Sequence, residues 1–294
     1  MEHGDEHPCP YAEPDAGHRG QRDRPCQVDR ALAARLRRYA EEHALVVVRG
    51  QAIMPEQQVA LTRLLGEPEL HPEPRFRLDG IPEIVQVGDR FDGDTPTALP
   101  ERFGRWRSDL SYLERPGDLS VLVPSRLPEA GALIEFASMR AAFAALPQRL
   151  VRNLERLSAL HDYAHRARRY GALGWLWPSA SGGLRPVEHP VVRTDPSGRP
   201  VLFVNECFTT RIIEHDEEES SRLLALLFHH QNRPEFRYAH RLQPDDVLLW
   251  DNRTVIHRTP VGSAGPRLAH RTTVRGERPV AAAGASDLLL ALTG

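Results

Sequence analysis

The sequence predicts an α+β fold, a jelly-roll-like barrel with flanking helices, and two observations support this prediction. After the first two predicted helices, the chain consists mostly of short apolar and β-branched runs that are separated by turn-forming Gly, Pro, Asp and Ser. Only a few segments with helical periodicity lie between or beside these runs. Many short strands with turns and a few helices are typical of a jelly-roll barrel.

The sequence of the first part of the domain predicts a helix, a strand and a second helix. Asp29 can cap the first helix, and Pro55 suits the first turn of the second because no N–H group is needed there. Between them, the apolar run Ala44–Arg49 predicts a buried strand. The predicted helices extend from Asp29 to about His43 and from Pro55 to Leu65.

The rest of the domain predicts mostly strands, which three helices interrupt. The predicted strands are Glu83–Val87, Leu119–Val123, Leu133–Phe136, Val187–Arg193, Val201–Asn205, Phe236–Arg241, Val247–Trp250 and His270–Arg275. The predicted helices are Met139–Leu146, Gln148–Leu160 and Glu217–Gln231. The run Asp195–Arg199, which reads Asp-Pro-Ser-Gly-Arg, has the composition of a hairpin turn between two of these strands.

The chain is expected to contain one jelly-roll domain over residues 28–279. An irregular amino-terminal tail is expected over residues 1–27, and a carboxy-terminal tail or short helix over residues 280–294. The segment from about 161 to 185 is rich in Gly, Trp and Arg and has no clear periodicity. Because long irregular segments in compact domains are usually functional or disordered, this segment predicts a lid or binding loop.

The composition excludes several classes of function. Charged residues make up 27% of the chain and the net charge is −2, so the chain has no basic field for nucleic acid or anionic lipid. Every one of the 38 strong cations is an arginine, which excludes chemistry that needs a lysine base, Schiff base or phosphate-loop lysine. The three scattered cysteines, the absence of a secretion signal and the lack of a long apolar run predict a cytoplasmic protein without nucleic-acid or membrane partners.

Two segments carry the residues that point to chemistry. One is Arg105-Trp-Arg-Ser-Asp-Leu-Ser-Tyr112, and the other is Asp245–His257, which contains Leu-Trp-Asp-Asn-Arg and is followed by Arg267-Leu-Ala-His-Arg271. Together with Glu188-His-Pro-Val-Val-Arg-Thr-Asp-Pro, Phe208-Thr-Thr-Arg-Ile and Asp216-Glu-Glu-Glu-Ser, they resemble the taurine dioxygenase-like (TauD/TfdA) family of iron(II)/2-oxoglutarate oxygenases. The resemblance covers about residues 28–279 and is strongest in the second half.

The resemblance implies a double-stranded β-helix of the cupin-like type, with iron(II) and 2-oxoglutarate as cofactors. In the family, a His-x-Asp pair and a distant histidine hold the iron and leave three positions open for 2-oxoglutarate and dioxygen. Asp109 and His257 match two of these metal ligands, and Arg267 matches the arginine that binds 2-oxoglutarate. Arg271 matches a second arginine that is able to hold an anionic substrate group.

His71, Arg271 and Trp175 are the candidates for contact with the substrate. His71, in Leu-His-Pro, resembles a family histidine on the substrate side. Trp175 lies in the predicted lid, where it either lines the substrate or packs over the mouth of the barrel. The resemblance also implies a small-molecule substrate, and proteins of this family often form homo-oligomers.

The chain departs from the family pattern at two positions. Where the family has Trp-His-x-Asp, this chain has Arg107, and a guanidinium group has no lone pair to offer a metal because its pKa exceeds about 12. Where the family has a threonine that meets 2-oxoglutarate, this chain has Ile134. The resemblance therefore implies a degenerate metal site in which Arg107 pairs with Asp109, while a third ligand from His71 or another histidine stays open.

We predict a dioxygenase-type oxidoreductase of specialised metabolism that hydroxylates or desaturates a small anionic molecule as 2-oxoglutarate is decarboxylated. Two alternatives stay open at this point. One is an iron-independent enzyme that uses Arg107, Asp109 and His257 for acid/base or cyclisation chemistry. The other is a non-catalytic pseudoenzyme, in which the barrel is kept for its shape. A halogenase is disfavoured, because related halogenases lose the carboxylate and keep both histidines.

Overall fold

The computed structural model of the protein describes most of the predicted domain. The described residues are 28–92, 95–100, 104–129, 131–164, 184–261 and 267–282. The predicted amino-terminal tail, residues 165–183 of the predicted lid and residues 283–294 lie outside them. Of the helices in the described ranges, none is long and apolar enough to cross a membrane.

The first helix begins at the cap that the sequence predicts, Asp29, and the second begins at Pro55 as predicted. The α-helices of the described ranges are α1 (Arg30–His43), α2 (Pro55–Leu65), α3 (Met139–Ala144), α4 (Gln148–Leu154) and α5 (Glu217–Gln231). The Asp29 carboxylate accepts a hydrogen bond from the N–H group of Leu32 at 2.7 Å, which caps α1. Asp216 caps α5 in the same way, and the glutamates of the first turn of α5 lie where the helix dipole favours negative charge.

The strands are short and are connected by turns. They are β1 (Leu45–Val48), β2 (Arg77–Leu78), β3 (Ile81–Gly88), β4 (Phe91–Asp92), β5 (Thr95–Pro96), β6 (Gly117–Arg126), β7 (Ala132–Ser138), β8 (Ser158–His161), β9 (Val187–Pro190), β10 (Val192–Thr194), β11 (Pro200–Leu202), β12 (Thr209–Ile212), β13 (Arg237–Leu242), β14 (Val247–Asp251), β15 (Val255–Arg258) and β16 (Leu268–Arg275). The predicted turn Asp195–Arg199 connects β10 to β11, and Gly198 has a φ of +80° there.

Two antiparallel sheets form the jelly roll that the sequence predicts. The large sheet has the strand order β1-β14-β6-β16-β3-β2, and the small sheet has the order β13-β7-β15. A three-stranded sheet, β12-β8-β9, and the hairpin β10-β11 lie beside them. Neighbours in the large sheet come from both ends of the chain, since β1 pairs with β14 and β3 pairs with β16. The topology therefore brings distant segments of the sequence together.

Apolar side chains fill the space between the two sheets and cover the outer face of the large one. Leu122 and Trp250 of the large sheet share one buried cluster with Ile134 and Phe136 of the small sheet. A second cluster joins the opposite face of the large sheet to α1 and α2, and a third surrounds α3, α4 and α5. Burying one such large side chain contributes about 1.5–3 kcal/mol, so these clusters hold the sheets in the positions that build the site.

Two predicted elements differ from the structure around residue 160. The helix predicted for Gln148–Leu160 ends at Leu154, and Ser158–His161 forms strand β8 instead. Strand β8 lies between β9 and β12, so cross-strand pairing overrides the local helical pattern. The residue at the approximate start of the predicted lid, His161, is the last residue of β8 and is fully buried.

Other strand bounds are corrected by the turns that the structure contains. The strand predicted for Val187–Arg193 is interrupted at Val191 and forms β9 and β10. The strand predicted for Val201–Asn205 ends at Leu202, because the Asn205 side chain starts a turn by accepting a hydrogen bond from the N–H group of Phe208 at 3.0 Å. Strands β12 and β15 were not among the predicted strands.

Candidate active site

Arg107 and His257 lie side by side across an isolated antiparallel bridge. The N–H group of Arg107 donates to the carbonyl group of His257 at 3.0 Å, and the N–H group of His257 donates to the carbonyl group of Arg107 at 2.8 Å. On its other edge, His257 pairs with Phe136 of β7. Because directly paired residues project their side chains to the same side of a sheet, the guanidinium group and the imidazole share one face.

Asp109 brings a carboxylate to the same place. Its Oδ1 lies 3.6 Å from Nε2 of His257 and 2.7 Å from Nη1 of Arg271. Its Oδ2 accepts a hydrogen bond from the hydroxyl group of Ser120 at 2.8 Å. The structure therefore brings Arg107, Asp109, His257 and Arg271 together, although they come from three separate segments of the chain.

The surrounding charges determine the protonation state of Asp109. Burial alone would raise the pKa of this carboxyl group. The positive charges of Arg271, His257 and Arg107 and the hydrogen bond from Ser120 outweigh burial, and they hold the pKa below its ordinary value. Asp109 is therefore a carboxylate at neutral pH and forms a buried ion pair with Arg271.

Asn252 holds Asp109 in place through hydrogen bonds to the backbone of Asp109 and to Ser120, which binds the carboxylate. The side-chain oxygen of Asn252 accepts hydrogen bonds from Nε1 of Trp250 at 2.9 Å and from the backbone N–H group of Asp109 at 3.3 Å. Its amide nitrogen donates to the hydroxyl group of Ser120 at 2.9 Å. Sequence reasoning did not single out Ser120. The available signal was a serine within the apolar strand β6, since a buried hydroxyl group needs partners.

Arg267, the residue before β16, contacts Thr259, the residue after β15. Its Nη2 donates to the hydroxyl group of Thr259 at 2.5 Å, and each of these two residues is 4% exposed. Thr259 follows His257 by two residues, and burial alternates along this segment, so both side chains point to the same side. Arg267 and Arg271 thus lie in different surroundings, one at a hydroxyl group and the other at the carboxylate of Asp109.

The wall beside Arg267 is apolar. Continuing the pairing of β15 with β7 by one step places Ile134 opposite Thr259. Ile134 is 2% exposed and belongs to the buried cluster between the sheets. The rings of Phe136 and Trp250 lie 6.1 and 4.9 Å from the ring of His257. An apolar side chain therefore occupies this part of the barrel, where the resemblance implies a threonine hydroxyl group.

His71 lies in the wall of a small cavity at this centre. The cavity is about 10 Å³, which is roughly the space for one water molecule. Its lining residues are His71, Leu99, Arg107, Asp109, Leu110, Tyr112, Tyr163, Phe208 and Arg271. Nδ1 of His71 accepts a hydrogen bond from the N–H group of Glu73 at 3.1 Å, and its ring stands edge-on to that of Tyr163. Trp175, the other predicted substrate contact, lies outside the described residues.

A larger groove lies elsewhere on the surface. It measures about 500 Å³ and is bounded by the connection from β6 to β7 and the turn that precedes β14. The charged side chains along it, Arg126, Glu129, Arg241 and Asp245, are exposed. Convergent buried charges indicate a site more strongly than volume does, so we assign the chemistry to the centre around Asp109.

The donors at this centre do not make up the three-ligand set that the resemblance implies. Asp109 and His257 offer a carboxylate and an imidazole, but Arg107 has no lone pair to give. Among the residues that the structure describes, no group of three or more His, Cys, Asp or Glu side chains is placed to hold a metal ion. The positive charges of Arg107 and Arg271 also disfavour a metal cation beside Asp109. The described residues therefore do not fit the iron centre of the resemblance.

Comparison with known proteins finds relatives over most of the chain. The family of the taurine catabolism dioxygenases TauD and TfdA matches residues 9–273, which begins within the predicted tail. An alpha-ketoglutarate-dependent 2,4-dichlorophenoxyacetate dioxygenase from Cupriavidus pinatubonensis is 33% identical over 76% of this chain and 81% of that protein. An alpha-ketoglutarate-dependent sulfate ester dioxygenase from Pseudomonas putida is 30% identical over 86% of this chain and 84% of that protein. The solved structure of AAD-2 in complex with Mn(II) and N-oxalylglycine has a TM-score of 0.70 and 28% identity, covering 85% of this chain and 89% of that one.

Proposed function

The chain belongs to the TauD, TfdA family of taurine catabolism dioxygenases, and from this premise we propose that it acts on a small anionic molecule at a degenerate metal site. The family consists of oxidoreductases that use Fe(II) and 2-oxoglutarate, the alpha-ketoglutarate of the relatives' names. At the level of the family, its function is therefore that of a 2-oxoglutarate-coupled oxygenase. The nature of the substrate and the state of the metal site are the parts that we propose.

Buried guanidinium groups support an anionic substrate. Arg107, Arg267 and Arg271 are each 4% exposed. The planar fork of an arginine donates two parallel hydrogen bonds to a carboxylate, sulfate or sulfonate group. The two relatives described above act on dichlorophenoxyacetate and on sulfate esters, and both of these are anions. We therefore expect the substrate of this chain to carry a carboxylate, sulfate or sulfonate group.

The position of Arg107 carries the proposal of a degenerate site. Arg107 and His257 exchange two backbone hydrogen bonds, and Asp109 follows on the same segment. Arg107 therefore stands beside both matched metal ligands, where the family pattern has a histidine. Because a guanidinium group cannot ligate a metal, we expect oxygenation that depends on Fe(II) to be weak in the wild-type chain.

A second candidate function is proton-transfer chemistry that needs no metal. It is favoured by the imidazole of His257, which lies 3.6 Å from the carboxylate of Asp109 inside a buried, charged centre. The two candidates differ in their response to a chelator, since proton transfer by these side chains needs no metal ion. Turnover that persists in excess EDTA would favour the second candidate.

Succinate formation from 2-oxoglutarate tests the proposal. Purified protein is incubated with Fe(II), dioxygen and one of three anions: 2,4-dichlorophenoxyacetate, an alkyl sulfate or taurine. We expect Arg107→His to form succinate about tenfold faster than the wild type or more, because it restores a ligand. Arg105→His is the matched control, since the side chain of Arg105 is half-exposed and pairs with Glu206 instead. Wild-type turnover as fast as that of Arg107→His would contradict a degenerate site.

The charge of the substrate is tested separately through binding. At least one of the anions should raise the melting temperature of the wild-type protein, and its uncharged amide or alcohol analogue should not. Equal shifts with the charged and the neutral compounds would contradict an anionic substrate.

A further inference from the structure

The positive charge at this centre is carried by side chains. Nη1 of Arg271 lies 2.7 Å from one oxygen of Asp109, and the other oxygen accepts the hydrogen bond from Ser120. The charge of Arg107 also acts on Asp109. Both carboxylate oxygens are therefore engaged by protein groups, and a metal ion would have to displace Arg271 to reach the oxygen that faces His257.

The fixed position of Arg107 makes it part of the centre. Arg107 is 4% exposed, and its backbone is held to His257 by hydrogen bonds in both directions. A metal ion binds a ligand carboxylate by coordination, and a guanidinium group binds a carboxylate through two parallel hydrogen bonds. Arg107 can therefore bind the ligand carboxylate that a metal ion would otherwise bind.

A second buried arginine, Arg267, contacts Thr259 just beyond the end of β15. Arg107 is beside His257, and Thr259 lies two residues further along the chain. Two residues of extended chain span about 6.6 Å, which is the separation of His257 and Thr259 along the backbone. A short dicarboxylic acid is long enough to extend from one of these positions to the other, with its chain against the apolar wall that contains Ile134.

We propose that this centre is metal-free, and that Arg107 together with Arg267 binds the two carboxylates of a short dicarboxylic acid of the 2-oxoglutarate type. This inference rests on the proposed function in one respect, because it takes the pocket to be a site for small anions. It deepens that function by assigning Arg107 the position at which a metal would otherwise hold the ligand. The cavity that Arg107 and Arg271 line has room for about one water molecule, so a ligand that reaches Arg107 has to move these arginine side chains.

The metal part of the inference is tested by titrating the protein with Mn(II) alone and following free Mn(II) by electron paramagnetic resonance. We expect the wild type to bind no stoichiometric Mn(II). Arg107→His should bind Mn(II) stoichiometrically because it supplies the missing imidazole ligand, and Arg105→His should behave as the wild type does. Stoichiometric binding by the wild type would overturn the metal-free centre, and this measurement needs no variant to fold.

The ligand part is tested by calorimetric titration with N-oxalylglycine in excess EDTA. We expect the wild type to bind it without metal, and Arg107→Gln to bind it about 10- to 100-fold more weakly, which is the range for a lost charge-assisted hydrogen bond. Arg105→Gln should stay within about twofold of the wild type. If Arg107→Gln does not fold, Arg107→Lys keeps the charge but loses the planar fork, and it should also bind more weakly.

The outcomes distinguish a failure of this inference from a failure of the proposed function. Binding of N-oxalylglycine by the wild type only when Mn(II) is present would overturn the metal-free centre and the role of Arg107, and it would leave standing only the family-level oxygenase and the anionic substrate of the proposed function. Equal affinities of the wild type and Arg107→Gln in EDTA would overturn the role of Arg107 and leave the proposed function standing. If neither the wild type nor Arg107→His binds the probe, with or without Mn(II), the proposed function fails as well.

Discussion

In the part of the chain that the structure describes, two buried pairs of a histidine and an aspartate look alike in isolation and differ in their surroundings. In the first pair, Nε2 of His240 lies 3.1 Å from Oδ2 of Asp246, and both side chains are 1% exposed. In the second pair, Nε2 of His257 lies 3.6 Å from Oδ1 of Asp109, which is longer than a hydrogen bond. Each aspartate also has an arginine partner, Arg49 in the first pair and Arg271 in the second.

The difference lies in how the partners are assembled. His240 belongs to β13 and Asp246 to the turn between β13 and β14, and Asp246 also accepts a hydrogen bond from the N–H group of Gln243 in that turn at 2.8 Å. These local contacts close a turn, and no ligand is needed to explain them. The centre around Asp109 instead joins segments that are more than a hundred residues apart, and it lines a cavity. Asp246 also has a distant partner, Arg49, but only the second pair brings its histidine and its aspartate together from distant segments, and only its aspartate lines the cavity. These two features distinguish the site from a structural contact of similar chemistry.

The largest effect that we predict on stability comes from the structural pair. Asp246→Ala should lower the free energy of unfolding by about 4 kcal/mol, because it leaves buried His240 and the Gln243 N–H group without their acceptor. Urea unfolding measures this change. Asp245→Asn is the control, since Asp245 is exposed and asparagine tolerates its positive φ. A loss below about 1 kcal/mol in Asp246→Ala would mean that the pair does not hold the turn.

A second effect concerns the histidines behind the site, His161 and His189, whose rings lie 5.2 Å apart. Burial, and less strongly the charge of Arg193, lower the pKa of His189 to about 4 from 6.5. Burial also lowers the pKa of His161. Above pH 6.5 both the folded and the unfolded chain carry neutral imidazoles, so stability does not change. Between pH 6.5 and about 4 only the unfolded chain takes up the proton at His189, so stability falls as the pH decreases.

For His189 alone, this loss should be on the order of 3 kcal/mol over that interval. Unfolding by urea at several pH values measures it. The loss should be smaller in His189→Gln and unchanged in His43→Gln, in which the replaced side chain is partly exposed. The same pH dependence in His189→Gln and the wild type would show that another group is responsible.

The fold could be predicted from the sequence wherever the signal is local. The caps Asp29 and Asp216 and the turn at Gly198 define their elements through contacts within a few residues. Strand β8 could not be predicted, because its identity comes from pairing with β9 and β12, and these lie far away in the sequence.

The sequence predicts which residues lie together at the candidate site, but it predicts only part of their contacts. The motifs around Asp109, His257 and Arg271 indicate a shared centre, and these side chains do lie together. The sequence suggests a substrate role for Arg271, whereas the structure pairs it with Asp109. Ion-pair partners depend on which side chains meet after folding, and a pattern of spacings along the chain does not contain that information. The support from Asn252 and Ser120 was missed for the same reason.

A third prediction tests whether the carboxylate of the site is held in place. Ser120→Ala should lower the free energy of unfolding by about 1–2 kcal/mol, because the buried hydroxyl group donates to Asp109 and accepts from Asn252. Ser125→Ala on the same strand is the matched control, since its hydroxyl group is exposed and bonds the carbonyl group of Leu268. Ser125→Ala should lower the free energy of unfolding, measured in urea, by less than about 0.5 kcal/mol. Equal costs for the two variants would mean that Ser120 does not support the site.

The smallest effect is predicted for the arginine of the structural pair. The side chain of Arg49 is 42% exposed, whereas its partner Asp246 is buried and keeps the hydrogen bonds from His240 and Gln243 when Arg49 is replaced. Arg49→Gln should therefore lower the free energy of unfolding by less than about 1 kcal/mol, and the difference should shrink at high salt because exposed ion pairs are screened. Urea unfolding at low and high salt concentrations measures both quantities. A cost close to that of Asp246→Ala would mean that the exposed Arg49 holds Asp246 as strongly as the contacts within the turn do, and the turn would then not be the main partner of this aspartate.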